Sequence, residues 1–271
     1  ASILQLGERI LCVYRPDEHH FSACFMDLSY EVDRGTHVRL PMQNVADPRL
    51  IVTPDNKVLL TYSTYTNFHD EHIAANYLMD LNRDMSISLG PRMRVSPKSL
   101  ASRQKNWMPF VHDAKIYFIA NVVPHDIYEF VPGAEAFQKH RTSWRHAWFN
   151  NQHLRGNTNP VRTATGDFLS TFHTASYQGG VMYYDNGCYV FSGEPPFHPI
   201  WCGRRTYLPA EAAVEPHVRK KNQIICTFPC GMTIDEDRLR ISYGDNDSSV
   251  KILDTTIEEM MGTMIKLNIQ Q

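Results

Sequence analysis

A short β-rich run recurs five times along this chain: ILCVY (10–14), VLLTY (58–62), IYFIA (116–120), FLSTF (168–172) and LRISY (239–243). Four of the five end on an aromatic residue, and successive starts lie between 48 and 71 residues apart. Turn signals precede several of them: Pro54-Asp55-Asn56, Asp113-Ala114-Lys115 and Thr165-Gly166-Asp167. Ahead of the last four runs stand further β-rich segments, RLIVT (49–53), WMPFV (107–111), NPVRT (159–163) and QIICTF (223–228). Outer strands such as NYLMDL (76–81) and CYVF (188–191) follow. A period of about fifty residues made of short antiparallel strands is the signature of a β-propeller. Five such units fill the 271 residues, which predicts an all-β, five-bladed β-propeller as one domain over 1–271. Each unit buries only part of its apolar face alone, so stability has to come from packing unit against unit. Helical character is confined to Thr256–Met261 near the C-terminus, with Thr255 or Thr256 as its cap. Two stretches break the rhythm, 131–156 and 193–222, and both read as long excursions at blade edges. A β-sandwich is the competing fold.

Composition narrows the function. Hydrophobic residues make up 42% and charged residues 21%, enough for a core and against disorder. Acidic and basic residues nearly cancel, 29 against 27, which argues against a nucleic-acid partner. No apolar run approaches the ~20 residues of a membrane span, and the opening residues do not read as a signal peptide. The six cysteines contain no C-x-x-C pair, and Cys12, Cys24, Cys188 and Cys226 sit in apolar runs. They read as free buried thiols of a reducing compartment, and a cytoplasmic location is expected. His19-His20 and His69-x-x-His72 lie in polar stretches and read as solvated, with no metal site expected.

In a propeller the innermost strands line an axial funnel, so the polar residues closing the repeated runs converge. They are Arg15, Ser63, Asn121, His173 and, just past the last run, Asp245 and Asp247. A second ring precedes the paired strands: Asp47, Lys105-Asn106 and Arg155 to Asn159. Taken singly, each has an ordinary structural role as turn former or strand end; their recurrence at equivalent points carries the signal. The set is rich in cations and amides (Arg15, Lys105, Asn106, His125, Arg155, Asn157, His173) and poor in acids. An ordinary glycosidase needs two carboxyl groups across the scissile bond, and Asp47 stands without an obvious partner. One acid facing a cationic cluster suits an anionic co-reactant such as phosphate.

These motifs resemble glycoside hydrolase family 130, the inverting β-mannoside phosphorylases and their relatives. Asp47-Pro48-Arg49 is similar to that family's D-P-R motif, following a first blade that ends in Arg15. Lys105-Asn106 resembles its basic–Asn pair, and Arg155-Gly156-Asn157-Thr158-Asn159-Pro160 its basic, Gly-containing segment. Phe172-His173 is similar to its aromatic–histidine strand end, and Tyr243-Gly244-Asp245-Asn246-Asp247 to its Y-G-x-x-D. The resemblance implies Asp47 as catalytic proton donor, acting through a hydroxyl of the mannosyl ring. It implies phosphate binding by Lys105, His125, Arg155 and His173. Arg15, Arg49, Asn106, Asn157, Tyr243 and Asp247 would bind the sugar. Phosphate would attack the anomeric carbon and release α-mannose-1-phosphate with inversion.

The chain departs from the family at two points: Pro124-His125 stands where many members carry an arginine, and position 105 is lysine rather than arginine. A histidine there would make phosphate affinity fade above its pKa, ~6.5 unperturbed. These variants and the compact length also resemble the protist transferase–phosphorylases of β-1,2-mannan, which use GDP-mannose as well as mannose-1-phosphate. The cationic loop Lys139-His140-Arg141-x-x-Trp144-Arg145-His146 would then meet a diphosphate, although a solvated edge loop is the plainer reading. No cofactor is expected beyond inorganic phosphate as co-substrate. The partners expected are a mannooligosaccharide, phosphate, mannose-1-phosphate and GDP-mannose. A glycosidase of another five-bladed family and a non-catalytic glycan-binding propeller are the competing functions.

Overall fold

The computed structural model describes residues 1–17, 19–65, 71–100, 104–145, 153–203, 206–208, 224–246 and 248–267. The strands form five separate sheets. In the first, β1 (Ser2–Leu6), β2 (Arg9–Tyr14), β3 (Ser22–Asp27) and β4 (Val32–Arg39) lie in chain order, inside to outside. The second repeats this with β5 (Val45–Val52), β6 (Lys57–Tyr65), β7 (Glu71–Asp80) and β8 (Arg92–Arg94). The third does so with β9 (Met108–His112), β10 (Lys115–Asn121), β11 (His125–Phe130) and β12 (Phe137–Thr142).

The fourth sheet has an interrupted inner edge. Two fragments, β13 (Arg155–Gly156) and β14 (Val161–Arg162), pair with β15 (Phe168–Gln178), which continues into β16 (Val181–Phe191) and β17 (Pro199–Gly203). β18 (Ile224–Ile225) adds to β16 in parallel. The fifth sheet is β19 (Thr227–Asp235), β20 (Arg238–Asp245) and β21 (Ser249–Thr256). A short helix, α1 (Ile257–Met261), the only one among the described residues, follows, and β22 (Met264–Lys266) returns to the edge of the fourth sheet against β17. Thr256 caps the helix in a capping box with Glu259.

Five hydrophobic clusters tie the sheets together. Leu11, Phe25, Leu60 and Tyr62 join the first and second; Leu59, Trp107 and Phe118 the second and third. Phe110, Ile127, Phe172 and Phe191 join the third and fourth, and Leu169, Val190, Met232 and Ile241 the fourth and fifth. Ile252 of the last sheet packs on Ile3, Ile10 and Cys24 of the first. Each large side chain so buried contributes ~1.5–3 kcal/mol, so the stabilisation resides between sheets rather than within one. The arrangement is all-β and propeller-like.

Several expectations are corrected in detail. The stretch 131–156 is not one excursion: its residues 137–142 are the outer strand β12, and Arg155–Gly156 pairs on the inner edge. The stretch 193–222 contributes β17 at Pro199–Gly203. The expected strand NPVRT contracts to Val161–Arg162, because Pro160 has no N–H to give a ladder.

Candidate functional site

Two proline-associated bulges shape the centre. In β5, Ala46 pairs with Ser63 and Arg49 with Thr61, so Asp47-Pro48 together oppose Tyr62 alone. Pro48 cannot donate to the ladder, and the bulge absorbs it. Asp47 there takes φ +56°, a left-handed conformation that aspartate tolerates better than most residues. β19 repeats the device: Pro229 pairs with Tyr243 and Gly231 with Ser242, leaving Cys230 as the extra residue. Both bulges line one cavity of about 440 Å³, through Asp47, Pro48 and Cys230, together with Tyr14, Arg15, Asp17 and the cross-strand pair Phe228–Gly244. That volume suits a small ligand or one end of a longer one.

Beside Asp47 lies a basic cluster. His173 is 2% exposed and pairs across the sheet with Arg155. Burial, then the positive charges of Arg155, Lys105 and Arg49, hold the His173 imidazole well below its usual pKa, so it is neutral at neutral pH. Its Nδ1 lies 2.6 Å from Asn157 Oδ1. Asn157 Nδ2 donates to Asn186 Oδ1 at 2.9 Å, which leaves Asn157 Oδ1 as the acceptor. The neutral ring therefore carries its proton on Nδ1 and offers Nε2 as an acceptor. Asn186 is anchored in turn by donating to Leu208 O and Thr227 Oγ1. The His173 ring stacks on Tyr184 (centroids 5.1 Å, 11°) and meets Phe228 edge-on at 5.1 Å. Phe228 thus joins the basic cluster to the cavity.

Arg49 braces the two halves. It is 1% exposed, donates to Asp47 O at 2.9 Å and to Gly156 O at 3.5 Å, and its Nε bonds to Asn157 O. Its guanidinium is committed to backbone carbonyls, which corrects the expected sugar contact to a positioning role. Asn157 is likewise fully buried between His173 and Asn186, so it positions rather than touches a ligand. Gly156 has no room for a side chain: a Cβ would sit 2.6 Å from Asn106 O and 2.7 Å from Met108 Sδ. Asn106, also left-handed at φ +61°, is buried, and its Oδ1 accepts no hydrogen bond among the described residues. Lys105 is half-buried, with Nζ 3.8 Å from Glu71 Oε1.

The remaining expected residues divide. Arg15 reaches the cavity and hydrogen-bonds Tyr65, whose phenol also senses the charges of Asp47 and Glu71. His125 is displaced from the site altogether. It is 0% exposed, with Nδ1 3.0 Å from Phe197 O and Nε2 3.2 Å from the Tyr189 hydroxyl. Burial pushes its pKa down to about 3, so it supplies neither charge nor a free nitrogen to phosphate. The strand β11 turns it into the aromatic core against Phe191. Tyr243 is half-buried in β20 opposite Pro229 and Lys251. Asp245 is buried and paired with Lys251, and Asp247 lies outside the described residues. Asn121 is exposed and donates to Asp126.

Most of the cationic loop is the solvated edge. Lys139 and Arg141 pair with Glu129 and Asp126, and Trp144 donates to Val122 O while stacking on Tyr189. His146 and His69 lie outside the described residues. The six cysteines are buried, and no cluster of metal-ligating side chains occurs among the described residues. No helix among them is long and apolar enough to cross a membrane.

Residues the sequence reading missed include Tyr65, Glu71, Tyr184, Phe228 and Cys230. Tyr65 extends the VLLTY run by three residues, a signal available in principle. Glu71 pairs with it across β6 and β7, which nothing in the local sequence announces.

Two acids, Asp47 and Asp17, line the cavity, the basic cluster around His173 adjoins it through Phe228, and the frame is all-β and propeller-like. The family model described as beta-1,4-mannooligosaccharide phosphorylase, Glyco_hydro_130, matches residues 35–266, and the chain belongs to glycoside hydrolase family 130. Among solved structures it superposes on a β-1,2-mannobiose phosphorylase from Listeria innocua with TM-score 0.65 and 13% identity, over 97% of this chain and 90% of that one. A glycosyl hydrolase from Bacteroides ovatus gives 0.64 and 13%, over 95% and 83%. A structure from work on family 130 glycoside hydrolases that target β-1,2 mannosidic linkages in Candida mannan gives 0.67 and 13%, over 95% and 83%. At these identities the likeness is one of fold. No curated protein sequence matches the chain.

Proposed function

We propose that this chain is an inverting β-mannoside phosphorylase, acting on β-1,2-linked mannooligosaccharides and, in reverse, extending them from α-mannose-1-phosphate. The observation that carries this reading is the pairing of Asp47, at the cavity wall, with the Lys105–Arg155–His173 cluster joined to it through Arg49 and Phe228. We read the five sheets as five blades of one catalytic domain, whose axis is the cavity.

In this mechanism Lys105 and Arg155 hold phosphate by charge, and His173 Nε2 accepts from its P–OH. A phosphate oxygen forms the bond to the anomeric carbon as the glycosidic C–O bond breaks on the opposite face. The proton of Asp47 reaches the departing oxygen through a hydroxyl of the mannosyl ring. As α-mannose-1-phosphate leaves as its dianion, the P–OH proton passes to solvent and Asp47 takes one proton back from solvent, which closes the proton balance. Arg15 binds sugar hydroxyls from the cavity wall, with Asn106 and Asp247 assigned the same role by the family motif. GDP-mannose as a second donor rests on the resemblance to the β-1,2-mannan transferases, and a cytoplasmic location on the need for phosphate.

Glu71 favours a second reading. It supplies a carboxylate beside Lys105 and near Tyr65, and two acids are what a hydrolase requires. A coupled assay on β-1,2- and β-1,4-mannobiose, with and without phosphate, separates the two. Phosphorolysis predicts phosphate-dependent mannose-1-phosphate on the β-1,2 disaccharide. Asp47→Asn should lower that rate by ~10²–10⁴ with an unchanged melting temperature. Phosphate-independent release of free mannose, abolished in Glu71→Gln, would replace the phosphorylase reading with the hydrolase.

A further inference from the structure

The strands β15 and β16 are eleven residues each and run to a two-residue turn at Gly179-Gly180, both glycines at positive φ. That is the turn a tight hairpin favours, and it makes the pair a regular, stiff rib. Cross-strand partners share a face, so His173 with Asn186, Ala175 with Tyr184, and Tyr177 with Met182 lie on one side. The opposite side carries Thr174, Ser176, Gln178 and Asp185, with Tyr183 and Val181 among them.

The first of these faces begins in the site and ends in solvent. His173 is buried on Tyr184; Tyr184 and Met182 are half-buried; Tyr177 at the tip is 73% exposed, the most of any large apolar or aromatic side chain among the described residues. Phe228, which lines the cavity, lies 6.4 Å from Tyr184, so the stripe is continuous with the cavity wall. From His173 to Tyr177 the strand advances about 13 Å. A row of two tyrosines and a methionine leading out of a small cavity is a poor surface to leave to water. Flat rings with hydroxyl ends suit the alternating C–H faces and hydroxyls of a sugar chain.

We propose that Tyr184, Met182 and Tyr177 form a platform for the mannosyl units that extend beyond the cavity, so that this hairpin makes the site selective for longer chains. The proposal rests on the phosphorylase reading for its substrate. The test compares β-1,2-mannobiose with β-1,2-mannohexaose in wild type and Tyr177→Ala. The expected result is a KM ratio, hexaose over biose, raised roughly two- to twelvefold in the variant, since an aromatic contact is worth ~0.5–1.5 kcal/mol. Phosphate KM and elution volume on a sizing column should not move. A ratio that stays at the wild-type value overturns the platform. So does a variant that elutes as a smaller species with unchanged kinetics, which would make the tip an interface between copies. If wild type turns over neither sugar, the phosphorylase reading has failed instead. Calorimetric titration of mannohexaose into both proteins then decides the platform: tighter binding to wild type supports it, and equal or no binding overturns it.

Discussion

Asn157 is the residue whose loss the structure prices most clearly. It accepts from His173 Nδ1 at 2.6 Å and donates to Asn186 Oδ1 at 2.9 Å, and all three side chains are buried. Asn157→Leu keeps the volume and removes both partners. Each buried polar group left unpaired costs ~1–3 kcal/mol, so the pair costs ~2–6 kcal/mol, offset in part by the added apolar burial. The expected net loss is about 2–4 kcal/mol, read as a shift of the urea midpoint. The imidazole proton is no longer fixed on Nδ1, so the KM for phosphate should change as well. Asn159→Leu is the matched control, because Asn159 bridges Met232 through its backbone N and O at 3.1 and 2.9 Å without touching His173. Both variants should be destabilised, and only Asn157→Leu should alter phosphate KM. A loss below about 1 kcal/mol for Asn157→Leu, or equal phosphate effects in the two, would refute the tautomer-fixing argument.

Two further outcomes are expected. Gly156→Ala should cost ~1–3 kcal/mol and raise phosphate KM, since a Cβ there would be 2.6 Å from Asn106 O between two site segments. Gly244→Ala, whose Cβ would meet only Phe228 O at 4.0 Å, should be within about 0.5 kcal/mol of wild type, and equal unfolding midpoints would contradict the crowding. The buried histidines predict acid sensitivity. His125, pushed down to about 3, and His173, also lowered by burial, stay neutral when folded while the unfolded chain takes up protons near pH 6.5. The unfolded state binds more protons, so stability is whole above that pH and falls below it, by up to ~1.4 kcal/mol per pH unit for each histidine. Urea midpoints between pH 7 and 5 should show this slope and lose about half of it in His125→Phe; a flat profile in wild type would refute it.

The recurring β-runs and the order of the chemical motifs were legible in the sequence because both are local. Alternation and turn residues specify a strand and its hairpin within a dozen positions, and Asp47-Pro48-Arg49 or Phe172-His173 can be read as a string. The same locality explains what could not be read. Lys105 and His125 looked alike as cations, but β9 begins just past Lys105 at the centre, whereas β11 turns His125 into the aromatic core against Phe191 and Tyr189. Arg49 and Asn157 looked like ligand-binding groups, and packing between the second and fourth sheets made them struts. Glu71 entered the site only because β7 pairs back onto Tyr65, and Phe228 only because the fifth sheet closes on the fourth. The strands, their approximate period and the motif string holding Asp47 are therefore readable from neighbouring positions alone. That His125 and His173 are buried and neutral follows from packing, because desolvation depends on neighbours far away in the chain.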